Sequence, residues 1–206
     1  MVWHRRLKEN RKMKIAFIRH GKTEGNLTKK YVGRTDESLC EEGIRELNMN
    51  IIGGMYDDIE PDKVIVSSMA RCRQSAKLLF HDVELVEVEE LKECDFGDFE
   101  GKNYSMLSGN EDYQRWIDSV GTLPFPNGES VEEFKDRCKK AFLEIVNKYN
   151  SCKCLAFVVH GGSIMAIMEA FDKDKKNYFD YQVSNGEGYL TEYNEGIITV
   201  KKELKK

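Results

Sequence analysis

Proline is nearly absent, with three in 206 residues. No proline- or serine-rich linker and no low-complexity tract therefore divides the chain. Histidine is scarce as well, with four, and no histidine–carboxylate cluster occurs at metal-ligand spacing, so no metal is expected. No apolar run approaches the ~18–20 residues of a membrane-spanning helix. A strong charge of one sign is also missing. The formal net charge is -4, which points away from nucleic acid. The six cysteines, Cys40, Cys72, Cys94, Cys138, Cys152 and Cys154, form no CxxC pair, and no secretion signal accompanies them. Reduced thiols in a cytoplasmic protein are the expectation. Cys152 and Cys154 lack further ligands at finger-like spacing, which leaves them structural roles.

Hydrophobic residues make up 40% and charged residues 33% of the chain, an ordinary soluble balance. The length suits one domain over 13–206 better than two small ones. Residues 1–12 are basic and read as a flexible extension before a second plausible start at Met13.

Short apolar runs alternate with helical patterns. Lys14–Ile18, Lys63–Ser67, Val83–Val88 and Leu155–Val159 read as strands, the apolar ones buried. Glu41–Ile52 reads as a helix with Ile44, Leu47 and Ile51 on its apolar face, closed by Gly53 and Gly54. Met69–Phe80 reads as a helix with Ala76, Leu79 and Phe80 as core candidates. Ser130 and Glu133 form a capping box, to which Glu129 is also ascribed. The helix that follows, to Tyr149, carries Val131, Phe134, Cys138, Phe142, Ile145 and Tyr149 on one stripe. Another helix spans Ser163–Phe171, and Gly188–Tyr193 with Ile197–Lys201 form a terminal hairpin. Residues 99–130 read as a lid or insertion with short helices near Tyr104–Leu107 and Glu111–Ser119. The expected fold class is α/β: a three-layer α/β/α sandwich around a mostly parallel central sheet. Ligands bind such sheets at the carboxyl ends of strands, where Arg19/His20, Ser67 to Arg71, and His160 fall.

Those strand ends carry the chemistry. A strand-end histidine whose Nδ1–H donates to a carbonyl keeps a free lone pair on Nε2, and that nitrogen can attack phosphorus. On its own, Arg19-His20-Gly21 is weak. It continues as RHGKTEGN, with Thr23 and Asn26 as donors for phosphate oxygens. VSSMARCRQSA then brings Arg71, LKECDFGDFEG brings Glu93, and FVVHGG brings His160. Phosphoryl transfer needs charge on the equatorial oxygens to be stabilised, which suits Arg19, Arg71 and a protonated His160. Glu93 can protonate the leaving oxygen and then activate water.

Taken together, these four motifs resemble the histidine phosphatase superfamily, the phosphoglycerate mutase-like group, from about Met13 to the last strand. The resemblance implies a nucleophile at His20, phosphate clamps at Arg19, Arg71 and His160, and a general acid/base at Glu93. It further implies phosphate contacts at Asn26 and the Gly161 backbone, a substrate contact near Gly33, and no metal or other cofactor. Lys22 and Gly25 stand where Glu and Trp are common; Lys22 either adds positive charge near the site or is a solvated surface residue. The segment 99–130 looks like that of the bacterial alpha-ribazole phosphatases, which act in cobalamin assembly. Trp116, Phe125 and Pro126 there form a packed lid edge or an apolar wall beside the leaving group. The cations with which a mutase holds a second phosphate are missing, since YQRWID offers only Arg115. Hydrolysis of a small phosphomonoester is therefore favoured over a cofactor-dependent phosphoglycerate mutase and over a non-catalytic phospholigand-binding relative. No nucleic-acid or membrane partner is expected, and a homodimer stays open.

Overall fold

The apolar run that opens the domain forms strand β1, Met13–Arg19, in the computed structural model, which describes residues 12–206. The extension expected over 1–12 lies, Lys12 apart, outside the described residues. Along the chain follow α1 (Glu24–Leu27), α2 (Glu41–Ile52), β2 (Lys63–Ser67), α3 (Ala70–Leu79) and β3 (Leu85–Val88). Then come α4 (Tyr104–Leu107), α5 (Glu111–Asp118), α6 (Val131–Lys148), β4 (Cys154–Val159), α7 (Gly161–Phe171), β5 (Gly188–Asn194) and β6 (Ile197–Leu204).

The six strands form one sheet in the order β3-β2-β4-β1-β5-β6. β3, β2, β4 and β1 pair in parallel, while β5 runs antiparallel to β1 and to β6. The β5–β6 hairpin turns on Glu195 and Gly196, both at positive φ, which suits the right-handed twist of a hairpin.

Side chains alternate across the inner strands. Ile15, Phe17, Ile65, Leu155 and Phe157 face α6 and α7, where Phe134, Cys138, Phe142, Ile164 and Ile167 close the core. Ala16, Ile18, Val64, Val66, Ala156 and Val158 face the other way and pack with Ala76 of α3 and with Phe80. Because both faces are covered, β4 is buried at every residue. The α6 stripe runs as expected from Phe134 to Ile145, with Val131 and Tyr149 half-buried at its ends.

One helix face differs from the periodicity. In α2 the buried residues are Gly43, Leu47 and Asn50, whereas Ile44 and Ile51 are exposed. Gly43 is the reason. A Cβ there would stand 2.2 Å from the Lys22 carbonyl oxygen, so α2 docks its bare backbone against the segment that follows His20. Asn50 then reaches Tyr56, whose hydroxyl donates to the Gly186 carbonyl at 2.6 Å.

Candidate functional site

The site begins with a register. Arg19 of β1 is paired with Val159 of β4, so the next residues, His20 and His160, leave neighbouring parallel strands side by side. Their rings meet edge to face with centroids 5.2 Å apart. His20 Nδ1 lies 2.7 Å from the Gly21 carbonyl oxygen. A carbonyl only accepts, so Nδ1 carries the proton and Nε2 keeps its lone pair. His160 Nε2 lies 2.8 Å from Ser67 Oγ, at the end of β2, and 3.5 Å from Cys72 Sγ.

Two guanidinium groups flank the histidines. Arg71, in the first turn of α3, is fully buried. Its Nη1 donates to the Thr35 carbonyl and its Nη2 to that of Gly33, both at 2.8 Å. Arg19 Nη1 donates to the Val183 carbonyl at 2.9 Å. The Nε of each arginine is buried without a hydrogen-bond partner among the described residues. An unpaired buried charged donor is costly, and an anion would relieve both.

This crowding sets the ionisation. Burial holds the His20 imidazole well below its ordinary value, and the positive charges of Arg71 and Arg19 lower it further. His160 is lowered for the same reasons: burial first, then Arg71 and His20. The protonated His160 expected from sequence is thus disfavoured by burial and by the neighbouring positive charges. Arg19 is also lowered, by burial, with Glu93 opposing the shift. An uncharged imidazole with a free Nε2, between two cations, is suited to attack an anionic electrophile such as a phosphoryl group.

Glu93 comes from irregular backbone beyond β3. Its carboxylate accepts from Gly162 N–H at 3.2 Å and from Cys94 N–H at 3.0 Å. Gly162 lies in the first turn of α7, whose N–H groups have no intrahelical partner. That helix starts at Gly161, two residues earlier than its apolar pattern suggests.

The remaining residues singled out from sequence fall around this centre. Thr23 caps α1: its hydroxyl accepts from Asn26 N–H and its own N–H donates to Asn26 Oδ1. Asn26 Oδ1 also accepts from Asn185 Nδ2 at 3.2 Å. Gly33 is pressed against the Glu93 loop, where a Cβ would stand 2.0 Å from the Cys94 carbonyl oxygen. Gly161 lies beside Arg19, with room for a Cβ at 3.5 Å from Nε. Lys22 is held by Glu42 and Glu46, each at 2.8 Å, so its charge is neutralised on α2. Ser130 and Glu133 form the capping box, but Glu129 does not belong to it. It pairs instead with Arg137 at 2.6 Å. Trp116 stacks on Phe125 at 4.9 Å, within a cluster that includes Tyr31, Phe96, Phe99 and Tyr113. Phe99, Tyr113 and Phe125 thereby join the same buried core as Phe134 and Phe142.

Sequence reasoning missed Asn185, Gly162 and Arg137. Asn185 sits in an Asn-Gly pair, which reads as a turn, yet its side chain donates to the His20 carbonyl at 3.0 Å. Among the described residues, no group of three or more His, Cys, Asp or Glu is placed to hold a metal ion. No helix there is long and apolar enough to cross a membrane.

Comparison with known proteins adds a second line of support. A family model of the histidine phosphatase superfamily (branch 1) matches residues 15–203. The uncharacterized phosphatase PhoE of Bacillus subtilis is 30% identical over 156 residues, 75% of each chain. The adenosylcobalamin/alpha-ribazole phosphatase of Salmonella typhimurium is 26% identical over 194 residues, 92% of this chain and 95% of the relative. In structure, the alpha-ribazole phosphatase of Shigella flexneri superimposes with a TM-score of 0.81 at 24% identity, covering 94% of this chain and 96% of the other. That last likeness speaks to the fold alone.

Proposed function

We propose that this chain, which belongs to the histidine phosphatase superfamily, hydrolyses small phosphomonoesters through a phosphohistidine at His20. The observation that carries the reading is the tautomer of His20. Its Nδ1–H is committed to the Gly21 carbonyl, so Nε2 is the nucleophile. In the first step Nε2 bonds to phosphorus and the bond to the leaving oxygen breaks. The Glu93 carboxyl group gives its proton to that oxygen. In the second step the Glu93 carboxylate takes a proton from water, whose oxygen attacks the phosphohistidine and frees inorganic phosphate and Nε2.

Arg19 and Arg71 balance the charge on the equatorial oxygens, and their unpaired Nε–H groups are suited to those oxygens. His160, protonated once the dianion binds, adds a third cation. Asn26, Thr23, Gly33 and the backbone of Gly161 complete the phosphate and substrate contacts. No step in this sequence calls on a metal, so rates are expected to survive EDTA.

The substrate we infer is alpha-ribazole 5′-phosphate. The aligned relative of that activity and the aromatic lid over 99–130 support this choice. Water is the acceptor because the lid offers no pair of free cations for a second phosphate. Its Arg115 is exposed and paired with Asp112. The six free thiols, five of them buried, suit a reducing compartment, and we place the enzyme in the cytoplasm.

The test is to trap an acid-labile, alkali-stable phosphoenzyme and to compare alpha-ribazole phosphate, 3-phosphoglycerate and sugar phosphates as substrates. His20→Ala is expected to abolish both labelling and turnover. Labelling that survives in that variant overturns the nucleophile, and loss of wild-type activity in EDTA with rescue by a divalent ion overturns the metal-free route. Isomerisation of 3-phosphoglycerate that outpaces its hydrolysis would make the chain a mutase.

A further inference from the structure

Glu93 has no regular structure to hold it. It lies between two 3-10 turns, Glu89–Leu91 and Gly97–Phe99, beyond the last residue of β3 that pairs with β2. The fixing comes from α6. Arg137 Nη1 donates to the carbonyls of Glu90 at 2.6 Å and Lys92 at 2.8 Å. Its Nη2 donates to the carbonyl of Glu93 itself at 3.0 Å and to Glu129 Oε2 at 2.9 Å. Its Nε donates to Glu129 Oε1 at 2.6 Å. Those bonds use all five N–H donors of the guanidinium. Glu129 extends the grip, since its Oε2 also accepts from Asp95 N–H at 3.3 Å. The main chain on both sides of Glu93 is therefore tied to one planar, permanently charged fork.

The same fork reaches the carboxylate from the other side. The guanidinium carbon lies 4.9 Å from the centre of the Phe134 ring. The edge of that ring abuts Gly162, where a Cβ would come within 2.9 Å of it, and Gly162 N–H holds the Glu93 carboxylate.

We propose that Arg137 is a positioning residue for leaving-group protonation: paired with Glu129, it sets where the Glu93 carboxyl group stands relative to the leaving oxygen. The inference rests on the role of Glu93 as general acid. A lysine cannot replace this geometry, because an ammonium lacks the planar fork that reaches three carbonyls and a carboxylate together. Misplacement of a catalytic group by about 1 Å can cost ~10²-fold, and the cost falls on the step that uses the group.

The experiment is a leaving-group series. kcat/KM is measured for aryl phosphates with good leaving groups and for alkyl phosphates with poor ones. The proteins compared are the wild type, Arg137→Lys, the charge-balanced double variant Arg137→Met with Glu129→Gln, and Glu93→Gln as the reference. Both Arg137 proteins are expected to lose up to ~10²-fold more on alkyl than on aryl phosphates, and to follow the slope of Glu93→Gln. Equal losses on both classes, or no loss on either, overturn the inference while a steep Glu93→Gln slope leaves the general acid standing. A flat slope for Glu93→Gln overturns the general acid, and this inference with it. Thermal melts establish that each variant is folded. Should the double variant fail to fold, Arg137→Lys, which keeps a cation beside Glu129, decides the matter by the same slope.

Discussion

At Gly162 the space a side chain would need is taken by the Glu93 carboxylate itself. A Cβ there would stand 2.3 Å from Glu93 Oε1 and 2.9 Å from the Phe134 ring, so a methyl group must displace one or the other. Gly162→Ala is expected to lower turnover by about 10²-fold. The melting temperature should move little, because alanine gains up to ~1 kcal/mol over glycine in a helix. At Gly161 the corresponding contact is an ordinary 3.5 Å, so Gly161→Ala is expected to lose less. Steady-state kinetics on the two variants check the ranking, and the reverse order would rule out the steric account. Residues differ in how far the sequence announces them. His20 and His160 each close an apolar run and precede a glycine, so their placement at strand ends is legible. Arg137 and Asn185 are not, because the backbone carbonyls they bind lie 44 or more residues away. Their neighbours in the chain describe only a helix and a turn.

At the scale of the element, α2 shows where periodicity misleads. Hydropathy selects Ile44, Leu47 and Ile51, but the helix docks through Gly43 and buries Asn50. A hydrophobic pattern records side chains and is blind to a face chosen for bare backbone. Gly43→Ala would place its Cβ 2.2 Å from the Lys22 carbonyl oxygen. Despite the better helix propensity of alanine, a net loss of about 1–3 kcal/mol is expected, measured by denaturant unfolding. Ile52→Ala, at a position 86% exposed, should stay within about 0.5 kcal/mol. A Gly43→Ala protein as stable as the parent would show that α2 is free to shift. The segment 99–130 tells the opposite story. Its two short helices each follow a local signal, since Asn103 and Asn110 cap them. What those signals did not contain is the mutual packing of Trp116, Phe125 and Tyr113, which depends on how the pieces fold back.

For the whole molecule, the buried histidines link stability to pH. His20 and His160 are both held below the ordinary histidine value of about 6.5. Between their folded values and about 6.5 the unfolded chain binds protons that the folded chain refuses. The stability due to their neutral state is thus complete above that window and is lost as pH falls through it. Thermal melts of the ligand-free protein from pH 7.5 to 5 should show a falling Tm. Inorganic phosphate should raise the Tm and flatten the decline, because a bound anion favours the charged imidazoles. A Tm that holds or rises on acidification without phosphate would contradict the burial of two neutral imidazoles. The sheet order itself was only partly legible. Alternating strands and helices imply a parallel sheet, but nothing local says that β4 inserts between β1 and β2. Long-range pairing decides that, and it is what brings the two histidines together.

The pairing of Arg19 with Val159 makes the distance between the histidines a property of the backbone. Adjacent strands lie ~4.8 Å apart, close to the 5.2 Å between the two rings. The interstrand pitch therefore works as a built-in ruler for the two histidines, and no loop has to measure it. Lids and leaving-group walls can be exchanged at the rim of such a sheet without recalibrating the centre. A one-residue insertion within β4, by contrast, would throw the ruler out of alignment.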